Sequence, residues 1–124
     1  MNTLLVVDSA NVVGSVPDGW WRDRLGAAGR LRDRLAAYAA AGAPALFAEA
    51  PEVVLVVEGA ARGVAPVPGV RVEEASGSGD DAIVAVVAGR APGRRCVVVT
   101  ADRELRARVT ALGAEVTGPS AVQT

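Results

Sequence analysis

The chain has 124 residues, with 14 acidic side chains against 13 basic ones, all of them Arg, and no His. That length suits one domain, here taken as 1–124, and the near-zero net charge provides no global field toward nucleic acid or membrane. Without His, the Ser-His-Asp and Cys-His nucleophile schemes and every His-ligated zinc site are excluded, and with Cys96 as the sole cysteine so is an internal disulfide.

The elements expected in chain order alternate between short Val-rich runs and longer Ala/Leu/Arg segments. TLLVVD (Thr3–Asp8) reads as a strand, with no charged leader before it, so a cytoplasmic protein is expected. WWRDRLGAAGRLRDRLAAYAAAG reads as a helix, since Leu25, Ala28, Leu31, Leu35 and Tyr38 recur at three- and four-residue steps, with Gly42 and Pro44 as its stop. EVVLVVE (Glu52–Glu58) is a second strand, GAARGVAPVPG (Gly59–Gly69) a surface loop, and GVRVEEA (Gly69–Ala75) a third strand. GDDAIVAVVAGR is a helix capped by Ser78, RRCVVVT (Arg94–Thr100) a fourth strand, DRELRARVTALG a helix closed by Gly113, and AEVTG a fifth strand. Cys96 lies inside the fourth strand and reads as a small buried hydrophobe rather than a reactive thiol. No run approaches membrane-spanning length.

Continuous Val-rich strands separated by helices predict an α/β fold with a parallel sheet covered on both faces. All strands then point one way, and Asp8, Glu58, Thr100 and Asp102 fall along the carboxyl edge, with Asp80 and Asp81 on the helix leading into the fourth strand. Open α/β sheets bind ligands along that edge. Carboxylates that converge there repel one another unless some are protonated or a cation sits among them. Oxygen donors without His or Cys favour Mg²⁺ or Mn²⁺, which can activate a water and neutralise charge on a phosphate. Acids beyond strands also cap helices, an ordinary role open to Asp81 and Asp102. Asp8 fits that role less readily, because the next helix is expected only near Trp20.

The stretches VVDSANVVGS, GSGDDAIVAVV and VVVTADRELRARVTALGAEV, taken together, resemble the PIN-like NYN superfamily, close to its YacP-like branch. The likeness runs from Asp8 to about Val116. Asp8 and Asn11 match the first motif. Asp80 and Ile83 match the second, with Asp81 an adjacent extra. Thr100, Asp102 and Glu104 match the third. Glu58 stands where the YacP-like branch has an Asp, and its added methylene shifts the carboxylate outward. The resemblance implies a Rossmann-like three-layer sandwich with a mostly parallel five-stranded sheet ordered 3-2-1-4-5. It also implies Mg²⁺- or Mn²⁺-dependent endoribonuclease activity. Asp8, Asp80 and Asp102 would be the metal-binding acids, Asn11 and Thr100 would hold water or phosphate, and Asp81, Glu104 and Glu58 would be secondary ligand candidates.

For the RNA, Arg103 is the favoured phosphate contact, because it follows Asp102 directly, with Arg106 nearby and Arg22 and Arg24 on the first long helix as further candidates. Arg30, Arg32 and Arg34 read as a solvated face with local Arg–Asp pairs. Of Trp20 and Trp21, one is expected to pack at the helix start and the other to be exposed. The near-neutral net charge favours a short RNA or a structured RNA brought by a protein partner, and a homodimer is an open expectation beside it. A toxin of a toxin–antitoxin pair falls within the same reading. The competing expectations are a catalytically inactive PIN-like module that binds nucleic acid or protein, and a receiver-like phosphoacceptor domain. The latter needs a Lys on the last strand, and the chain has no Lys.

Overall fold

The computed structural model describes residues 2–41, 47 and 49–123. Five strands form one sheet: β1 (Leu4–Asp8), β2 (Glu52–Val57), β3 (Val70–Glu74), β4 (Cys96–Val99) and β5 (Glu115–Thr117). Their order is β3-β2-β1-β4-β5 and every pairing is parallel. The helices are α1 (Ser9–Gly14), α2 (Arg24–Ala41), α3 (Gly79–Ala88) and α4 (Arg103–Ala111). The fold class and strand order expected from the sequence are the ones observed.

The period-two alternation of the strands divides the core between two faces. Leu5, Val7, Val53, Leu55, Val57, Val97 and Val99 pack on one side with Ala28, Leu31 and Leu35 of α2 and Val12 of α1. Leu4, Val6, Val54, Val56, Cys96 and Val98 pack on the other with Ile83 and Val87 of α3 and Leu105 and Val109 of α4. Both faces of β1, β2 and β4 are therefore buried, which is why these strands read as unbroken apolar runs. Each fully buried Val or Leu contributes about 1.5–3 kcal/mol of transfer free energy. Cys96 is buried in this core, and burial pushes its thiol pKa up, as befits an unreactive hydrophobe.

Several details differ from expectation. The helix foreseen from Trp20 begins at Arg24, because Trp20–Arg22 forms a separate 3-10 turn and Asp23 turns out of helical geometry (φ −152°) to accept from Gly26 N at 2.9 Å. Leu25, assigned to the apolar face, is 46% exposed. The stop at Gly42 and Pro44 lies outside the described residues. The loop Gly59–Gly69 is not featureless: it opens with a 3-10 turn at Gly59–Ala61 and buries Val64. The Ser78 cap on Asp81 N and the closure of α4 at Gly113 (φ +86°) are as expected. The largest departure is α1, which follows β1 without an intervening loop.

Because β1 is flanked by β2 on one side and β4 on the other, the strand order reverses beside it. The crevice between the carboxyl ends of β1 and β4 is the topological switch point, the place where open α/β sheets take ligands.

Candidate active site

Asp8 ends β1 inside this crevice and is only 6% exposed. Its Oδ1 accepts from Asn11 N at 3.4 Å, which makes Asp8 the N-cap of α1. The expectation that Asp8 is no helix cap is therefore corrected: a six-residue helix starts immediately after it. Its Oδ2 accepts from Thr100 Oγ1 at 2.9 Å, across the β1–β4 boundary. Thr100, fully buried just past β4, also accepts from Asp102 N at 3.2 Å. Asn11 reaches across the same boundary in the other direction, its Oδ1 accepting from Ala101 N at 2.9 Å. Asp8, Asn11, Thr100 and Asp102 thus form one hydrogen-bonded network that fixes the two chain crossovers to each other.

Asp102 caps α4 by accepting from Leu105 N at 2.9 Å through Oδ1. Asp80 sits in the first turn of α3, half-buried, and its carboxylate takes no hydrogen bond and no ion pair among the described residues. Its pKa is raised, first by burial and then by the negative charges of Asp102 and Glu58; Arg108 opposes this and Glu104 adds to it. Asp8 is also raised, mainly by burial, against the lowering effect of the bonds from Thr100 and Asn11, with Asp80 and Glu58 contributing repulsion. The mutual repulsion places Asp8, Glu58, Asp80, Asp102 and Glu104 in one electrostatic neighbourhood.

The remaining candidates divide. Glu58 follows β2, and its Oε2 accepts from Gly79 N at the start of α3. A Cβ on Gly79 would stand 2.9 Å from that oxygen, so only glycine lets the carboxylate approach the helix so closely. Asp81 points away into an exposed pair with Arg108 at 3.0 Å. Arg103 is exposed beside Asp102, whereas Arg106 is committed to the Thr100 carbonyl at 2.8 Å. Arg22 and Arg24 lie over Trp21 and Trp20, at 5.8 and 5.3 Å from the ring centroids. Trp20 is half-buried and meets Trp21, 54% exposed, edge-on at 6.0 Å, as foreseen for one packed and one exposed ring. Arg32 makes the expected local pair with Asp33 at 3.0 Å but is not solvated as expected, since its guanidinium also donates to the Ala65 carbonyl at 3.0 Å.

Among the described residues, no group of three or more Asp, Glu or Cys side chains is gathered tightly enough to hold a metal ion unaided. A closed three-carboxylate cage on Asp8, Asp80 and Asp102 is therefore not preformed. The donor set still suits a hard cation. Asp80 is an unpaired carboxylate facing other anions, and Mg²⁺ commonly takes one or two carboxylates and completes its shell with water and substrate phosphate oxygens.

One feature of the site was not foreseen. A cleft of about 300 Å³ adjoins the acids on the β2 side, lined among others by Ser9, Val13, Trp20, Arg24, Glu58 and Arg62. Of these, the sequence indicates Trp20, Arg24 and Glu58, each singly, and not Ser9, Val13 or Arg62; no spacing rule links them.

Neither protein-family models nor curated protein sequences give a match to this chain. Among solved structures it is similar to a mutant of Rae1 (YacP) from Bacillus subtilis, with a TM-score of 0.70 and 16% sequence identity, over 97% of this chain and 72% of that one. The fold is YacP-like. No helix among the described residues is long and apolar enough to cross a membrane.

Proposed function

We propose that this chain is a PIN-like, Mg²⁺- or Mn²⁺-dependent endoribonuclease that hydrolyses RNA phosphodiester bonds at the crevice between β1 and β4. The observation that carries the reading is the unpaired carboxylate of Asp80, held among Asp102, Glu58 and Glu104 beside the buried Asp8–Thr100 pair at the switch point. Asp80 and Asp102 would hold the cation, with Asp8 behind them. A divalent cation there supplies an activated water and screens the charge of the reacting phosphate. The YacP-like fold and the order of the three acid motifs support the same assignment.

The chain's own residues divide the remaining work. Thr100 and Asn11 keep the ends of β1 and β4 in register, so that the acids they border stay fixed relative to one another. Arg103, exposed next to Asp102, would grip a phosphate with paired N–H donors. Arg22 and Arg24 already lie over tryptophan rings and offer phosphate only their remaining donors.

A 5′-labelled RNA incubated with MnCl₂ should be cut by the native chain, and D80N should lose that activity while keeping its circular dichroism spectrum. Cleavage by D80N at the native rate would remove the proposal. A second reading, a non-catalytic nucleic-acid-binding module, draws on the missing three-carboxylate cage and on Asp8 having both oxygens engaged. Binding of RNA without cleavage under either metal would favour it.

A further inference from the structure

The cleft beside the acids shares a wall with them. Ser9 directly follows Asp8, and Glu58, which raises the pKa of both Asp8 and Asp80, lines the cleft as well. A ligand whose phosphate reaches the acidic crevice therefore has its neighbouring group beside this space. At about 300 Å³ the cleft is at the small end of ligand pockets, the scale of a single base and not of a helix or a protein segment.

The lining has the chemistry of base recognition. Trp20 supplies an aromatic wall, and it packs against the end of α1, where a Cβ on Gly14 would stand 3.7 Å from Cζ2. The Arg24 guanidinium lies over the Trp20 ring, 5.3 Å from its centroid, as a cation-π pair, and adds its own plane to the lining. Ala10, Val13 and Ala61 give apolar contact. Glu58 accepts from Gly79 N through Oε2, while Oε1 takes no hydrogen bond among the described residues. Arg62 is exposed, and its guanidinium has no ion pair among the described residues. One carboxylate acceptor and two guanidinium donors line the same space. Guanine complements that set best, because it presents N–H donors at N1 and N2 on one edge and acceptors at O6 and N7 on the other.

We propose that this cleft is a guanine subsite, which takes an unstacked base of single-stranded RNA next to the phosphodiester held at the acids. The proposal rests on the ribonuclease reading for the position of the phosphate, but base binding itself needs no cleavage. Single-stranded RNA is recognised in this way, by splaying a base against an aromatic or Arg plane and reading its edge.

The test uses W21F, in which Trp20 is the sole fluorophore of its kind, titrated in EDTA with GMP, AMP, CMP and UMP. GMP should change Trp20 emission saturably and bind about tenfold more tightly than the other three. R62A should weaken GMP binding about tenfold, and E58Q should abolish the preference among bases. A uridine oligomer carrying one guanosine should bind more tightly than the all-uridine oligomer. Non-saturating response to all four nucleotides in a natively folded protein, equal affinities for them, or no gain from the guanosine in the oligomer would each overturn the subsite. RNA cleavage by the same W21F protein under MnCl₂ keeps the two readings apart. GMP binding without cleavage retains the subsite and counts against the nuclease, whereas cleavage without GMP saturation removes the subsite alone.

Discussion

Thr100→Val tests the network that fixes the crevice. Thr100 is fully buried, donates to Asp8 Oδ2 at 2.9 Å and accepts from Asp102 N at 3.2 Å. Valine has nearly the same shape but makes neither bond. A hydrogen bond to a charged group contributes about 1.5–3 kcal/mol and a neutral one about 1 kcal/mol, so the loss should come to about 3 kcal/mol at neutral pH. At this chain length that corresponds to a fall in Tm of about 10 °C. Thr100→Ser keeps both bonds and gives up one buried carbon, a cost of about 1 kcal/mol. The Thr100 bond also lowers the Asp8 pKa against the dominant effect of burial, so its removal raises that pKa further. The T100V deficit should therefore shrink in acid, where Asp8 carries a proton and no longer needs a donor. Urea denaturation of the three proteins at neutral and acidic pH measures all of this. T100V within 0.5 kcal/mol of the native chain, or about as costly as T100S, would refute the reasoning, since surface-like substitutions fall in that range.

Asp80 gives a pH prediction for the metal-free protein. Its folded pKa lies above the ordinary 3.8, so the folded state holds the proton more tightly and stability falls as pH rises through the raised value. D80N removes that penalty and should melt higher than the native chain at pH 7 in EDTA, with the difference closing below the ordinary pKa; a lower melting point at pH 7 would contradict the repulsion. Gly79→Ala should push the Glu58 carboxylate off the start of α3, because the new Cβ would sit 2.9 Å from Oε2. The lost charged hydrogen bond outweighs the helical gain of alanine, leaving a net destabilisation of about 1 kcal/mol in urea denaturation; a stabilised G79A would sink that account of Glu58.

The layered sheet was legible because β1, β2 and β4 are buried on both faces and leave unbroken Val runs in the sequence, with glycine and helical periodicity between them. The acids were legible as strand ends once the strands were parallel. The helix after Asp8 was not, because SANVVG offers two β-branched residues and a glycine in six positions, a poor helix by propensity. The signal present was Asp8 itself, a favoured N-cap whose acceptor reaches the third residue on. The extra methylene that shifts the Glu58 carboxylate outward has a use in the structure, since it lets the side chain span from β2 to Gly79. The cleft could not be foreseen, because Trp20, Glu58, Arg62 and Gly77 meet only through the paths of three connections, α1–α2, β2–β3 and β3–α3, and loop geometry leaves no periodic trace in sequence.

Calorimetric titration of the folded native chain with MnCl₂ tests most directly whether Asp80 and the acids near it share a divalent cation. Saturable binding that is lost in D80N and D102N, both retaining native circular dichroism, is the predicted result. No heat beyond dilution at millimolar Mn²⁺, or an unchanged isotherm in the two variants, would contradict it.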